Sequence, residues 1–485
     1  MALPVVSRSA FTRTASAISA PLRLCVKIST LSVVLLSAFT PATAEPIRIT
    51  YWEKWSGFEA DAMRAVVDQF NAAQDRVFVD FVSMSQIDRK LIVATAGGDP
   101  PDVAGIWFAQ LSSFADRAAL TPLDPFIERD HDRPADTWLT ETYPPVFAGM
   151  QRYRGHVYAL ISAPATNALY WNKTAFSEAG LDPEKPPRTL AELNAFSRRL
   201  TRRHADTGAL LRTGFLPQEP GWFSYAYPAW FGGQLVDEHG DIAIARDPAN
   251  LAAARWERGF AETLGADQLK RFTSGFGAFA SAQQAFFTGD VAMVFQGVWF
   301  DRFIAKFSPG LDYGVAPWPE ATGREPGPPG QAFTLADADL LVIPRGAKHP
   351  EAAWEFIRFA TSANLDATGR DQVSGVELLC LGQQKTSPLR RWSPWFEQNH
   401  PHPHIGLFRE LAESPRAWHV PQIGVWTEYL REYNAAIQRV RLLDTTPSDA
   451  LDYVQNRMSA SWTRHRASVE RQAQAAAARA GEGAP

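Results

Sequence analysis

The sequence predicts an α/β protein built as more than one lobe. Two observations carry this. Near the front of the chain, apolar runs of period two alternate with runs of helical spacing, in the order strand, helix, strand, helix, strand. The chain is also 485 residues long, more than one hydrophobic core holds, which suits two or three lobes.

Ile47, Ile49 and Tyr51 alternate with Arg48 and Thr50, the spacing of a strand. The loop from Trp52 to Gly57 follows. Phe58, Ala62, Met63, Val66, Val67 and Phe70 then recur at helical spacing. Val77, Val79 and Phe81 predict the next strand. Ile87, Leu91, Ile92 and Ala96 predict a helix that stops at Gly97-Gly98, where glycine accepts a left-handed backbone and Pro100-Pro101 cannot continue the helix. Asp102 to Ile106 is a third strand. Such βαβ units are right-handed and give a mostly parallel sheet, whose ligands bind outside the carboxyl ends of the strands. Two loops leave strand ends here. One carries Trp52, Glu53 and Trp55, the other Trp107 and Gln110.

The stretch Gly155 to Leu200 predicts a strand over Val157–Ile161, a small link Ala163-Pro164-Ala165-Thr166-Asn167, and a second strand over Ala168–Trp171. A helix ending at Ala179-Gly180 and a second starting at Thr189 come next. Further on, Ala282–Phe287 reads as a helix, Val291–Phe295 as a strand, Thr322–Gly330 as a loop, Asp339–Ile343 as a strand and Pro350–Ile357 as a helix. From Val425 to about Arg466 the pattern is helical. Residues 467–485, rich in Ala, Arg, Gln and Glu, form a tail that extends this helix or frays.

The first 44 residues stand apart. Arg8, Arg13, Arg23 and Lys27 precede the apolar run Ile28–Phe39, which ends at Ala42-Thr43-Ala44, with no acidic residue. This is the pattern of a secretory signal peptide over 1–44, cleaved after Ala44, and the apolar run is too short to span a bilayer. Export to the periplasm is therefore expected. Losing four cations takes the formal charge from −4 to −8. It also removes Cys25 and leaves Cys380 alone, so the exported chain has no internal disulfide and relies on its core. No basic patch suited to nucleic acid appears.

Several segments together resemble the family 1 extracellular solute-binding proteins of ABC importers, the maltose-binding-protein-like group. They are the opening ITYW strand, ATAGGDPPDV, GHVYAL…ALYWNKTAFSEAGL, PPRTLAEL, AQQAFFTGDVAMVFQGVW, YGVAPWP and IPRGAKHPEAAWEFIRFA. Their order and spacing carry the resemblance over most of the chain after residue 44. It implies a two-lobed periplasmic-binding-protein fold, with a hinge and a ligand cleft between the lobes. The N-terminal lobe would comprise 45–163 plus 316–376, and the C-terminal lobe 164–315 plus 377–466. The chain would cross near Ala163–Asn167, near Val315–Pro317 and around Gln372–Gln383. The implied function is that of an extracytoplasmic receptor, a monomer that binds a carbohydrate and delivers it to a membrane permease, without a cofactor.

Sixteen tryptophans, all beyond residue 44, bear on the ligand. Trp256, Trp354 and Trp462 lie on helical patterns and read as core. Tryptophans on loops present flat faces to the C–H faces of sugar rings, while nearby carboxylates and amides bond the hydroxyls. The resemblance assigns ligand contact to Glu219 and Trp222 in the segment Gln218–Phe223, to Trp299 in Gly297-Val298-Trp299, and to Trp426 at the start of a C-terminal helix. Trp107, Gln110, Trp52, Glu53 and Trp55 would supply the contacts of the first lobe. Phe108-Ala109-Gln110 stands where the family often has charged contacts, a departure from the pattern of maltose binders.

His400, His402 and His404 alternate with proline; a solvated loop is expected there in preference to a metal site. Lys54 and Arg345 are candidates to meet an anionic ligand, although single loop charges ordinarily face water. Three functions stay open at this point. One is a carbohydrate receptor. The second is a receptor for a glycerol phosphodiester or polyol. The third is an exported carbohydrate-active enzyme with paired carboxylates, which the absence of G-x-S-x-G, H-E-x-x-H and phosphate-loop motifs does not favour.

Overall fold

The computed structural model describes residues 45–482. The predicted signal peptide and the last three residues of the tail lie outside that range. The opening units form as their periodicity requires. Strand Ile47–Glu53 pairs in parallel with Val77–Ser83 and Val103–Trp107. Helix Phe58–Ala73 buries Met63, Val66, Val67 and Phe70, and helix Ile87–Gly97 is capped by Gly98 at φ 79°.

Among the described residues, ten strands make one hydrogen-bonded sheet. Its centre is two crossing strands, Ala159–Asn172 and Thr334–Val342. The expected link at Ala163–Asn167 is not a link. It is the middle of one 14-residue strand, buried throughout. Pro164 is tolerated there because its missing N–H removes only one bond from the ladder. The two crossing strands pair antiparallel with each other, and Thr334–Val342 pairs antiparallel with Val103–Trp107. The chain leaves along one strand and returns along the other, so the sheet is mixed: parallel at the first three strands and between Leu210–Phe215 and Val291–Gly297, antiparallel through the centre.

The ladder changes partners along the outgoing strand. Residues 159–166 face the returning strand, whereas Asn167–Trp171 pair with Val291–Gly297 and Leu169–Asn172 with Tyr313–Ala316. Side chains in this second half alternate between two cores. Leu169 and Trp171 pack with Phe215, Met293 and Phe295, while Ala168 and Tyr170 pack with Val294, Val298 and Phe300. Polar side chains at the change of partners bond across it: Asn167 Nδ2 donates to the Leu335 carbonyl at 3.0 Å, and Thr166 Oγ1 to the Phe408 carbonyl at 3.1 Å.

Two helix expectations change. Residues 282–287 form successive turns and no helix. The Gln284 side chain accepts from the amides of Phe286 and Phe287 at 2.9 and 3.2 Å, taking donors that a helix would point at earlier carbonyls. The C-terminal helical pattern is two helices, Trp426–Arg441 and Pro447–Glu482. They part at Leu443 (φ 64°), and the second starts where Thr446 Oγ1 accepts from the Asp449 amide ahead of Pro447. The tail continues this second helix. Tyr429, Tyr433, Leu451, Val454 and Met458 join the core beneath the first-half sheet. Arg441 pairs with the fully buried Glu257 of helix Pro248–Leu264. Trp354 and Trp462 are core, as expected, and Trp256 is partly buried with its indole N–H on Asn194 at 2.9 Å. No helix among the described residues is long and apolar enough to cross a membrane.

Candidate functional site

A cavity of about 390 Å³ opens above the crossing strands. Its floor is Ala163 and Ala165 from the outgoing strand and Asp337, Ala338 and Asp339 from the returning one. The two alanines matter by being small, since larger side chains would fill the space. Trp55, Glu59 and Trp107 wall it on the side of the first strands. Trp222, Phe279, Trp299 and Phe303 wall it from segments beyond the crossing. A groove of about 500 Å³ lies elsewhere, between helices Leu190–Leu200 and Pro248–Leu264, and holds none of the predicted ligand residues. The smaller cavity is the candidate site, because four of the predicted ligand residues and several charged groups converge on it.

Local geometry explains each wall. Trp299 folds back over the strand end at Gly297, where a Cβ would overlap its indole; only glycine leaves that space. Trp55 and Trp107 meet edge to face, with centroids 5.8 Å apart. Trp222 is 43% exposed and sits edge-on to Phe279 at 4.6 Å. Phe303 also touches Phe58, 5.6 Å away on the opposite wall, and Arg302 lies over the same Phe58 ring at 5.5 Å.

Beneath the aromatic layer runs an alternating chain of buried charges. Lys54 Nζ lies 3.4 Å from Glu53 and 3.1 Å from Asp339. Lys385 Nζ lies 2.9 Å from Asp339 and 3.9 Å from Glu59. Burial opposes the charge on Asp339, but Lys385 and Lys54 outweigh it and hold the carboxyl below its usual range. Burial likewise opposes the Lys385 ammonium, yet Asp339 and Glu59 keep its pKa raised. Burial raises Glu59, only partly offset by Lys385. Both lysines approach the Trp55 ring, at 5.3 and 5.5 Å. Lys54 therefore does not face water, and it is committed to its carboxylates.

Asp337 and Glu219 have no cation within ion-pair distance among the described residues. Asp337 lines the cavity and accepts only its neighbour's amide, from Ala338 at 2.8 Å; burial pushes its pKa up to about 6. Glu219 accepts from Gln284 Nε2 at 3.1 Å, and burial pushes it up to about 7.

Of the predicted ligand residues, Trp55, Trp107, Trp222 and Trp299 converge on the cavity. The others do not line it. Trp52 points to the opposite face of its strand from Tyr51 and Glu53, as period two dictates. Glu53 is buried over Gly105, where a Cβ would overlap its carboxylate, and it accepts from the Tyr51 hydroxyl and the Lys54 amide. Gln110 Oε1 accepts from the Trp107 amide at 3.4 Å and so holds the base of that wall. Trp426 is 2% exposed, stacked on Tyr429, and supports cavity residue Tyr225 edge to face at 5.8 Å. Glu219 flanks Trp222 in sequence without lining the space.

Sequence reasoning missed Asp337, Asp339, Glu59 and Lys385. A signal for the first two was present. Thr334–Val342 is an apolar strand with two acids two residues apart, and buried Asp is rare unless paired or functional. Nothing around Lys385 marks it. The histidine loop is also corrected. His402 is 1% exposed, and burial lowers His400 and His402 to about 4 and about 3. Pro401 and Pro403 take the solvent side and turn the imidazoles inward. Among the described residues, no group of three or more His, Cys, Asp or Glu is placed to hold a metal ion.

Residues 58–364 match the family described as bacterial extracellular solute-binding protein. A maltotriose-binding protein of Pyrococcus abyssi is 23% identical over 318 residues, 65% of this chain and 62% of that protein. The chain thus spans under two thirds of that relative's length. An sn-glycerol-3-phosphate-binding periplasmic protein of Yersinia enterocolitica is 23% identical over 434 residues, 83% of this chain and 92% of that one. Among solved structures, CpMnBP1 with mannotriose bound superposes with a TM-score of 0.70 at 26% identity, covering 84% of this chain and 99% of the other.

Proposed function

Since the chain belongs to the bacterial extracellular solute-binding protein family, we propose that it is the extracytoplasmic receptor of an ABC importer. It binds a disaccharide or short oligosaccharide above the crossing strands and hands it to a membrane permease. The observation that carries this reading is the convergence of Trp55, Trp107, Trp222 and Trp299, from both sides of the crossing, on one cavity with carboxylates at its floor. Indole faces cover the apolar faces of sugar rings, and carboxylates accept from hydroxyls. A volume of about 390 Å³ suits a short saccharide. The ligands of similar proteins, maltotriose and mannotriose, support the same class.

The lobe division we infer follows the ladder. The chain passes between lobes inside Ala163–Asn167 and again on the returning strand Thr334–Val342. Export with cleavage after Ala44 and a monomeric receptor belong to the same reading. The Yersinia relative's name gives sn-glycerol-3-phosphate, a phosphomonoester, as another ligand. Such a ligand finds little support in the cavity, where both nearby lysines are engaged by carboxylates.

The test is a calorimetric and thermal-shift screen of short saccharides, polyols and phosphodiesters. A saccharide should raise Tm, because a ligand bound only by the folded state stabilises it. It should be recovered uncut. Trp299→Ala should lose about tenfold or more in affinity while staying folded. Release of reducing ends, or equal affinity in the variant, counts against the proposal.

A further inference from the structure

The charge pattern of the cavity goes beyond a neutral sugar. Four tryptophans and three phenylalanines line the space, and aromatic rings attract cations. The fixed cations near it are already used: Lys54 lies between Glu53 and Asp339, and Lys385 between Asp339 and Glu59. Asp337 is different. It lines the cavity next to Asp339, and among the described residues no lysine, arginine or histidine comes within ion-pair distance of it. Lys385 and Lys54 act on it only from beyond contact. Tyr225, another lining residue, feels the same carboxylate. A carboxylate partly withdrawn from water and without a cation is disfavoured, whereas the same carboxylate opposite a ligand cation is compensated.

We propose that the saccharide this cavity selects carries a protonated amine, held by the Asp337 carboxylate against the aromatic wall. The inference rests on the carbohydrate-receptor reading and specifies its ligand class. The local sum of charge agrees with it. Glu53, Glu59, Asp337 and Asp339 outnumber Lys54 and Lys385, so a cationic ligand reduces the excess of carboxylates and an anionic one worsens it. Burial already disfavours the charged form of Asp337, and an ammonium in contact reverses that preference. Binding of the amine therefore favours loss of the Asp337 proton.

The experiment compares matched ligands by calorimetry: glucosamine-containing disaccharides and oligosaccharides, their N-acetylated forms, and the corresponding neutral sugars. It is run below the pKa of the sugar amine. The amine form should bind at least about tenfold more tightly than both neutral counterparts. Asp337→Asn should remove that advantage, read as the ratio of amine to neutral-sugar affinity within the same variant, and an unchanged circular-dichroism spectrum shows that the variant folds. Raising the ionic strength should weaken the amine ligand alone. If neutral sugars bind as well as or better than the amines, the inference fails and the carbohydrate reading stands. If no saccharide of any kind binds, both fail.

Discussion

Thr334 and Asn167 exchange two hydrogen bonds where the crossing strands change partners. The Thr334 hydroxyl accepts from the Asn167 amide at 3.0 Å and donates to the Asn167 carbonyl at 2.8 Å. Both residues are fully buried. A side chain thus completes a ladder position at the point where one half of the sheet gives way to the other. A threonine there can keep both bonds over a range of strand angles, because a hydroxyl rotates where a backbone pair would break.

Thr334→Val keeps the shape and removes both bonds. It leaves a buried amide and a buried carbonyl unmatched, so it should cost about 1–3 kcal/mol in urea unfolding. If the pair also sets the angle between the halves, ligand affinity falls together with stability, which calorimetry on the same variant reads out. A loss of stability below a few tenths of a kcal/mol would show the pair to be dispensable.

Lys385 is buried beneath the cavity between Asp339 and Glu59. Lys385→Met strands Asp339 beside a single lysine and leaves Glu59 without its partner. A loss of about 3–5 kcal/mol is expected, as when one member of a buried ion pair is removed. Replacing Arg76, whose bond to Glu355 is at the exposed surface, should cost no more than about 1 kcal/mol. Equal losses in the two variants would contradict the assignment of burial as the cause.

The Glu219 carboxyl has its folded pKa raised by burial from 4.5 to about 7. Between those values the folded state holds a proton that the unfolded state has lost. Stability from this group is therefore present below the unfolded pKa and declines as pH rises toward about 7. Asp337, raised from 3.8 to about 6, acts in the same direction over a lower window. Glu219→Gln should flatten the fall in Tm across this range, while Asp337 retains its share. A wild-type Tm that rises steadily from pH 4 to 7, with no change of slope in the variant, would refute the shift.

The first strands and helices were legible because each satisfies one local rule. Val66 and Phe70 repeat at helical spacing, Ile49 and Tyr51 at strand spacing, and Gly98 ends its helix with the left-handed backbone expected of it. The crossing was half legible. Ala163–Asn167 has the composition of a link, and only its pairing with Thr334–Val342 shows it to be continuous strand. The four cavity tryptophans stood out because they follow strand ends. Trp426 shows the limit of sequence context: an aromatic residue opening a helix reads the same whether it lines a cavity or supports a tyrosine that does. Lys385 was invisible, since its partners Asp339 and Glu59 lie 46 and 326 residues away in the chain.

The buried series Glu53, Lys54, Asp339, Lys385 and Glu59 has a consequence for how this protein changes over generations. Each charge is tolerable only because its neighbours are present, so replacing any one exposes the next. Substitutions along the series should be strongly non-additive, with double replacements gentler than either single one. Descendants would be expected to keep the five together or to exchange them as a set. Gly105, which makes room for the Glu53 carboxylate, is bound to the same fate although it carries no charge.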